Sequence, residues 1–288
     1  MNVLDIPELV MAGELVKKKA VSTKEMAGFL KVATSVAVQA GEILAKNFGK
    51  TQKVELKGEI DLVTDIDRRS QEFIVGKLGK AFPDHSIMAE EALFEKKHSQ
   101  YLWIIDPLDG TTNYAHGFPV FCVSIALQFE KTMVAGVIHN PLLGETFSAG
   151  TGMGTRLNGK RVVVSKTRLL TNSLLATGFP YDLRKHANEY LRVFCDMAVR
   201  ARAVRRAGSA ALDLAYLACG RFDGFWEMKL KPWDIAAGAL MVKEAGGRTT
   251  DYDGCRFDLR KGSLAASNGR IHRELLAALE LTKRMRRS

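Results

Sequence analysis

Hydrophobic residues recur every three or four positions after residue 22, which is the spacing of one buried helix face. Ser22 is followed three residues later by Glu25, the pattern of a capping box that starts a helix. Asn47, Phe48 and Gly49 interrupt the spacing and mark its end. The pattern therefore predicts a long first helix, whose buried face is formed by Met26, Phe29, Leu30, Ala33, Ala37, Ala40 and Leu44.

Apolar and β-branched runs separated by turn residues dominate the chain as far as residue 150 and predict a mostly antiparallel sheet. The expected strands span residues 53–57, 86–89, 101–105, 120–128, 132–138 and 145–149. Between the first two of them we expect an acidic turn over residues 59–67 and an amphipathic helix over residues 67–78.

From about residue 165 the pattern changes, and helices alternate with short strands. The expected strands are 173–177, 203–206, 220–226, 247–250 and 264–267, and the expected helices are 187–200, 208–219, 233–245 and 270–284. The change divides the chain into an N-terminal extension (1–21), an α+β subdomain (22–165) and an α/β subdomain (166–288). No flexible linker separates the subdomains, so we expect layered helices and sheets that pack closely.

The composition is that of an ordinary globular protein, because 47% of the 288 residues are hydrophobic and 26% are charged. It excludes disordered, collagen-like and coiled-coil chains. No apolar run approaches the roughly 18–20 residues that cross a bilayer. Asp5 and Glu8 precede the first apolar stretch, which is unlike a secretory signal. We therefore expect a cytoplasmic protein.

The four cysteines are Cys122, Cys195, Cys219 and Cys255, and no two of them form a Cys-x-x-Cys pair. This spacing argues against a zinc ribbon, a thioredoxin-type site and a disulfide scaffold. We expect all four to be small apolar residues in or near the core.

The formal net charge of +10 attracts phosphates, nucleic acids and acidic lipids alike, so the charge alone selects no partner. The basic residues form two clusters, which are Arg200, Arg202, Arg205 and Arg206, and Lys283, Arg284, Arg286 and Arg287. Their simplest interpretation is solvated surface and favourable charge near helix C-termini.

Two aspartates three positions apart, Asp106 and Asp109, follow a buried strand and precede a small polar turn. Carboxylates at a strand end reach an open cleft, and hard oxygen ligands so close together suit Mg²⁺ or Mn²⁺. The amides of Gly110 and Thr111 would hold a phosphate if a helix starts there. The alternative is an Asx-type turn that caps a helix without binding anything.

Other acidic residues favour a metal site over a simple capping turn. Glu90 and Glu91 follow a strand-like segment, Asp67 ends an acidic run, and Asp234 lies in Lys231-Pro-Trp-Asp234. Together with the aspartate pair they would place five or six carboxylates in one cleft, which is unfavourable unless cations neutralise them. The pattern indicates a divalent metal site.

The segments Ile-Asp-Pro-Leu-Asp-Gly-Thr-Thr-Asn (105–113) and Pro-Trp-Asp-Ile-Ala-Ala-Gly (232–238) resemble the inositol monophosphatase family of Mg²⁺-dependent, lithium-sensitive phosphatases. The similarity extends over roughly residues 25–275. It implies an inositol monophosphatase-like (sugar phosphatase) fold, an α+β sandwich with α-β-α-β-α layers. It also implies a homodimer and hydrolysis of inositol 1-phosphate with two or three Mg²⁺ ions per site, or Mn²⁺ in their place.

The resemblance assigns roles to individual residues. The implied metal ligands are Glu90, Asp106, Asp109, Asp234 and the carbonyl of Leu108. The implied catalytic residues are Glu91 and Thr111, which orient and deprotonate the attacking water, and Asp67, which helps to organise the metal site. The implied substrate contacts are Asp109, Gly110, Thr111, Gly208, Ser209, Ala210, Glu227 and Asp234. One departure is Ala89, where the family often has glycine, and it concerns only the local loop geometry.

Two alternatives remain open. One is a broader sugar phosphatase that also cleaves fructose 1,6-bisphosphate, with the second phosphate held by arginines within residues 200–206. The other is an additional role in binding RNA or the transcription machinery through the two basic clusters. A membrane partner is not expected.

Overall fold

Helices and sheets alternate in layers in a computed structural model of the chain, which describes residues 21–50, 54–56, 62–90 and 99–284. Seven α-helices occur in this described part: α1 (Thr23–Asn47), α2 (Asp65–Ala81), α3 (Thr111–Ala115), α4 (Ala187–Arg200), α5 (Ala210–Ala218), α6 (Pro232–Glu244) and α7 (His272–Arg284). The predicted capping box starts α1, because the Ser22 hydroxyl accepts from the Glu25 amide and the Glu25 carboxylate accepts from the Ser22 amide.

The strands form three sheets. A small antiparallel pair consists of β1 (Val54–Leu56) and β2 (Leu62–Thr64). The large sheet contains β3 (Ser86–Ala89), β4 (Tyr101–Asp109), β5 (Cys122–Phe129), β6 (Thr132–Asn140), β7 (Glu145–Gly150), β8 (Gly154–Leu157) and β9 (Lys160–Val162), in that spatial order. Only its first pair is parallel, so the mostly antiparallel sheet is confirmed.

The third sheet has five strands, which are β10 (Leu174–Thr177), β11 (Ala203–Arg205), β12 (Gly224–Glu227), β13 (Arg248–Thr250) and β14 (Leu264–Ser267). Their order is β11-β10-β12-β14-β13, with the first three parallel and the other pairings antiparallel. A short 3₁₀ turn, Leu170–Asn172, precedes β10.

Alternating side chains of each large sheet pack on opposite layers, as strand geometry requires. Along β4, Trp103 and Ile105 pack with α1 and α2, whereas Ile104 packs with α5 and α6. In β10, Ala176 faces α5 and α6, whereas Leu175 packs on the side of α4 and α7. The resulting layer order confirms the α-β-α-β-α sandwich. The boundary at residues 165/166 stays a prediction.

Several predicted elements need correction. Helix α2 starts at Asp65 rather than Asp67, and residues 62–64 form β2 where an acidic turn was expected. Thr64 and Asp67 form a capping box that fixes this earlier start. The strands β8 and β9 were missed because they are short and rich in polar residues. Residues 1–20 and 57–61 lie outside the described ranges.

The expectation that all four cysteines lie in or near the core is wrong. Cys122 is buried and Cys219 is half-buried, but Cys195 and Cys255 are exposed. Cys195 lies off the buried face of α4, which is formed by Tyr190, Val193 and Met197. None of the helices in the described ranges is long and apolar enough to cross a membrane.

Candidate active site

The aspartate turn begins where β4 leaves regular pairing with β5. Asp106 pairs with Ser124, but the next pair is Asp109 with Cys122, so β4 carries one more residue than its partner over this interval. Such a bulge bends a strand and redirects its side chains. Asp106 and Asp109 consequently line the same cavity.

Gly110 allows the chain to turn directly into α3. Its φ is 97°, a left-handed conformation that strains other residues. A Cβ atom at this position would also lie 2.8 Å from the carbonyl oxygen of Val120. Glycine is therefore required at the start of α3, and its position brings the Thr111 side chain back toward the turn.

Thr111 and Asp67 form a buried pair. The Thr111 hydroxyl lies 3.0 Å from Asp67 Oδ1 and 3.0 Å from the carbonyl oxygen of Leu108. Asp67 Oδ2 accepts from the amide and the hydroxyl of Thr64 at the start of α2. Ser70, one turn later, donates to the carbonyl of Pro107 at 2.9 Å. Hydrogen bonds to Asp67 and from Ser70, in the first two turns of α2, thus fix the position of the aspartate turn.

Buried Asp106 and half-buried Asp234 each accept a hydrogen bond from a neighbouring amide with one carboxylate oxygen. Asp106 Oδ1 accepts from the Leu108 amide at 3.0 Å, and Asp234 Oδ2 accepts from the Lys231 amide at 2.7 Å. The second oxygen of each carboxylate meets no hydrogen-bond donor within the described ranges. These second oxygens are available to a ligand.

Asp109 connects the large sheet to α5. Its Oδ2 accepts from the Ser209 hydroxyl at 2.6 Å and from the Ala211 amide at 2.8 Å. Ser209 is the N-cap of α5, so the carboxylate lies where the helix dipole favours negative charge. Asn113 reinforces the connection by donating to the carbonyl of Ala207 at 2.9 Å.

The carboxylates of Glu90, Asp106, Asp109 and Asp234 lie close enough to repel one another, and burial together with this repulsion raises the pKa of Asp106 and Asp234. Burial raises the pKa of Asp106 well above its usual range, and the charges of Glu90, Asp109 and Asp234 raise it further. Burial raises the pKa of Asp109 to about 6, although the hydrogen bond from Ser209 lowers it. Burial and the charge of Asp109 raise the pKa of Asp234 as well. Such a cluster favours a bound cation.

Glu227 ends β12 and lines the same cavity as the aspartate turn. A Cβ atom at position 178 would overlap the Glu227 carboxyl group, so any side chain in place of Gly178 would displace it. Burial raises the pKa of Glu227 to about 8, with Arg206 lowering it and Asp109 raising it.

A cavity of about 500 Å³ brings most of the sequence-predicted site residues together. Those that line it are Glu90, Asp106, Leu108, Asp109, Gly110, Thr111, Gly208, Ser209, Ala210, Glu227 and Asp234. Asp67 lies behind the wall and acts on Thr111, whereas Glu91 lies outside the described residues. The size suits a small-molecule ligand.

Comparison with known proteins decides the family. The sequence model that describes the inositol monophosphatase family matches residues 25–283 of this chain. This chain belongs to the inositol monophosphatase family. It is accordingly a phosphatase, a hydrolase of phosphoric monoesters.

Relatives of known name agree with this assignment. The inositol-1-monophosphatase of Synechocystis sp. is 42% identical over 268 residues, covering 92% of this chain and 93% of that protein. The Nus factor SuhB of Pseudomonas aeruginosa is 41% identical over 262 residues, covering 88% of this chain and 97% of its own length. The crystal structure of the extragenic suppressor protein SuhB from Bartonella henselae matches with a TM-score of 0.84 and 42% sequence identity. The match covers 88% of this chain and 98% of that chain.

Ala89, where the family often has glycine, causes no backbone strain. It ends β3, pairs with Ile105 of β4 and is not among the residues with positive φ. Its methyl group is buried in the core beneath the large sheet. The departure therefore leaves the position of Glu90 at the end of β3 unaffected.

The donor set fits a hard divalent cation of the kind that this metal-dependent family uses. Carboxylate and carbonyl oxygens are the ligands that Mg²⁺ prefers, and the cavity wall supplies both types. Within the described ranges, no three Asp, Glu, His or Cys side chains are grouped closely enough to hold an ion as they stand.

Sequence reasoning missed several lining residues. Phe179, Pro180 and Tyr181 form a wall of the cavity, and no motif marks them. Arg206 was recognised only as a member of a basic cluster. Asp213 was not predicted, although a single charged residue within an apolar helix indicates a candidate functional residue.

Proposed function

We propose that this chain hydrolyses inositol 1-phosphate to inositol and phosphate with Mg²⁺ as cofactor. The observation that carries the proposal is the meeting of the aspartate turn, Glu90 and Asp234 around one cavity, with the Asp67–Thr111 pair beneath it. The relative named inositol-1-monophosphatase supports the choice of substrate.

Four carboxylates and one carbonyl would hold the metal ions, namely Glu90, Asp106, Asp109, Asp234 and Leu108. We expect two or three ions per site, with Mn²⁺ able to replace Mg²⁺. When bound, the ions supply Lewis-acid stabilisation of the phosphoryl and leaving oxygens and lower the pKa of the attacking water. Sensitivity to lithium stays a prediction.

The residues of the chain position the water and move its proton. Thr111 orients the water through its hydroxyl, which Asp67 fixes by accepting from it at 3.0 Å. Glu91, which lies outside the described residues, is the proposed proton acceptor. The water attacks in line with the departing alcohol oxygen, so no covalent phosphoenzyme forms.

Phosphate and alcohol occupy opposite ends of the cavity in this proposal. The first amides of α3, from Gly110 and Thr111, hold the phosphate. Ser209 and Ala210 at the start of α5 lie beside the alcohol ring, and Glu227 hydrogen-bonds to its hydroxyl groups.

A broader sugar phosphatase is the alternative within the same class. Arg206, Lys229 and Lys231 all line the cavity and could attract a second phosphate. Lys229 is paired with Asp182, which reduces its availability. We therefore favour the monophosphate.

The test compares kcat/KM for inositol 1-phosphate and fructose 1,6-bisphosphate, measured as phosphate release in Mg²⁺. We expect inositol 1-phosphate to be preferred by at least about tenfold, the effect of one well-placed hydrogen bond. Preference for the bisphosphate would select the alternative. Hydrolysis of neither substrate by a folded sample would contradict the proposed function.

A second role in binding RNA or the transcription machinery is suggested by the relative named Nus factor SuhB. Arg202 and Arg205 are exposed, whereas Arg200 is paired with Asp196. RNA binding that weakens steeply with salt and persists in Asp106→Asn would support this role. Absence of binding at about 0.1 M salt would exclude it. The homodimer and the cytoplasmic location stay predictions.

A further inference from the structure

Asp213 is a charged residue that packing does not explain. It is the one charged residue of α5, an otherwise largely apolar helix between the two large sheets. Its side chain is 1% exposed, and Oδ1 has no hydrogen-bond partner within the described ranges. A buried carboxyl group without partners is destabilising, whereas an apolar residue at this position would not be.

The helix directs Asp213 toward the candidate active site. Residues four apart lie on the same helix face, and Asp213 follows the N-cap Ser209 by four residues. Ser209 donates to Asp109 in the aspartate turn. Both Ser209 and Asp213 line the cavity. Asp213 therefore lies one helical turn further from the aspartate turn.

This position places Asp213 near Glu227, at the alcohol end of the cavity. Burial raises the pKa of Asp213 well above its usual range, and the charge of Glu227 raises it more than that of Asp109 does. Arg206 opposes both shifts and also lowers the pKa of Glu227. Two carboxyl groups and one guanidinium thus surround this end of the cavity.

We propose that Asp213 is a specificity-determining residue that, beside Glu227, hydrogen-bonds to a hydroxyl group of the substrate alcohol. A hydroxyl group both donates and accepts, so it can satisfy the Asp213 carboxyl group in either protonation state. The inference rests on the proposed function and adds to it a residue that selects phosphate monoesters whose alcohol carries further hydroxyl groups. Aryl phosphates, which lack such hydroxyl groups, gain nothing from Asp213.

The test measures kcat and KM of Asp213→Ala, Asp213→Asn and the wild type on inositol 1-phosphate and on p-nitrophenyl phosphate. For Asp213→Ala we expect KM for inositol 1-phosphate to rise about tenfold, and both constants for p-nitrophenyl phosphate to stay within about twofold. Asp213→Asn retains a polar group of the same shape and should recover most of the loss. Asp196→Ala on the surface of α4 is the matched control.

Stability provides a second readout. Removal of an unpartnered buried carboxyl group should leave the Tm of Asp213→Ala at or above that of the wild type, since alanine also favours the helix. A fall in Tm together with equal losses on both substrates would indicate a structural role and overturn the proposal.

The kinetic outcomes separate this inference from the proposed function. A wild-type preference for inositol 1-phosphate that survives in Asp213→Ala overturns the role of Asp213 alone. A wild type that shows no preference between the two substrates contradicts the proposed function itself.

Discussion

Gly110 joins the last residue of β4 to α3, with a φ of 97°, and a Cβ atom at this position would lie 2.8 Å from the carbonyl oxygen of Val120. In Gly110→Ala the left-handed backbone costs about 1–2 kcal/mol, and the close contact adds about 1–3 kcal/mol. We expect a corresponding loss in the free energy of unfolding, measured by urea denaturation. Phosphate release should fall at least about tenfold because the amides proposed to hold the phosphate shift.

Gly144→Ala is the matched control for this prediction. Gly144 also has a positive φ, 62°, but a Cβ atom there would meet nothing within 4 Å. Its substitution should cost only the backbone strain and leave the activity unchanged. Equal effects of the two substitutions would show that the contact with Val120 does not constrain the turn.

At the scale of single residues, functional residues could be predicted from the sequence where several of them lie together in one short motif. Asp106, Asp109, Gly110 and Thr111 lie within six positions of one another, and their types alone indicated a metal and phosphate site. Asp213 stands alone in its segment, so only its burial and its missing partner reveal that it belongs to the cavity.

At the element scale, periodicity predicted long segments better than short ones. Helix α4 occupies residues 187–200 as expected, because its apolar positions repeat over several turns. Strand β9 has three residues at the edge of the large sheet and buries none of them fully, so it leaves no hydrophobic pattern to read. The start of α2 was placed two residues late because the Thr64–Asp67 capping box was not recognised.

Helix α7 is anchored by a buried histidine whose ionisation opposes folding. His272 contacts the Ser267 hydroxyl through Nδ1 at 2.9 Å and the Thr250 hydroxyl through Nε2 at 3.0 Å. Burial lowers the pKa of His272 to about 4, and the charge of Arg248 acts in the same direction. Between about pH 6.5 and 4 the unfolded chain therefore binds a proton that the folded chain does not.

His272 should thus make the free energy of unfolding decrease as the pH falls through this range. In His272→Gln that part of the decrease should disappear, as measured by urea denaturation at a series of pH values. The raised pKa values of Asp109 and Glu227 act in the opposite direction, so the difference between variant and wild type isolates the histidine. The exposed His116→Gln is the control, and a pH-independent difference for His272→Gln would contradict the prediction.

At the scale of the whole molecule, the candidate site is assembled from three layers. Asp109 comes from the large sheet, Asp234 from the start of α6 in the central layer, and Glu227 from the end of β12 in the smaller sheet. These residues are far apart in the sequence, and no local pattern predicts that they meet. The acidic residue types suggested a shared cleft for Asp109 and Asp234, and the family resemblance added Glu227. The packing of the central helices between the sheets accounts for the arrangement physically.

The most direct test of the account is phosphate release from inositol 1-phosphate by the wild type, first with Mg²⁺ and then with excess chelator. We predict turnover that chelator abolishes and added Mg²⁺ restores. Asp106→Asn should lower turnover at least about a hundredfold with the fold retained, while the surface variant Asp258→Asn should not. Full turnover in chelator, or wild-type turnover in Asp106→Asn, would contradict the metal site on which the account depends.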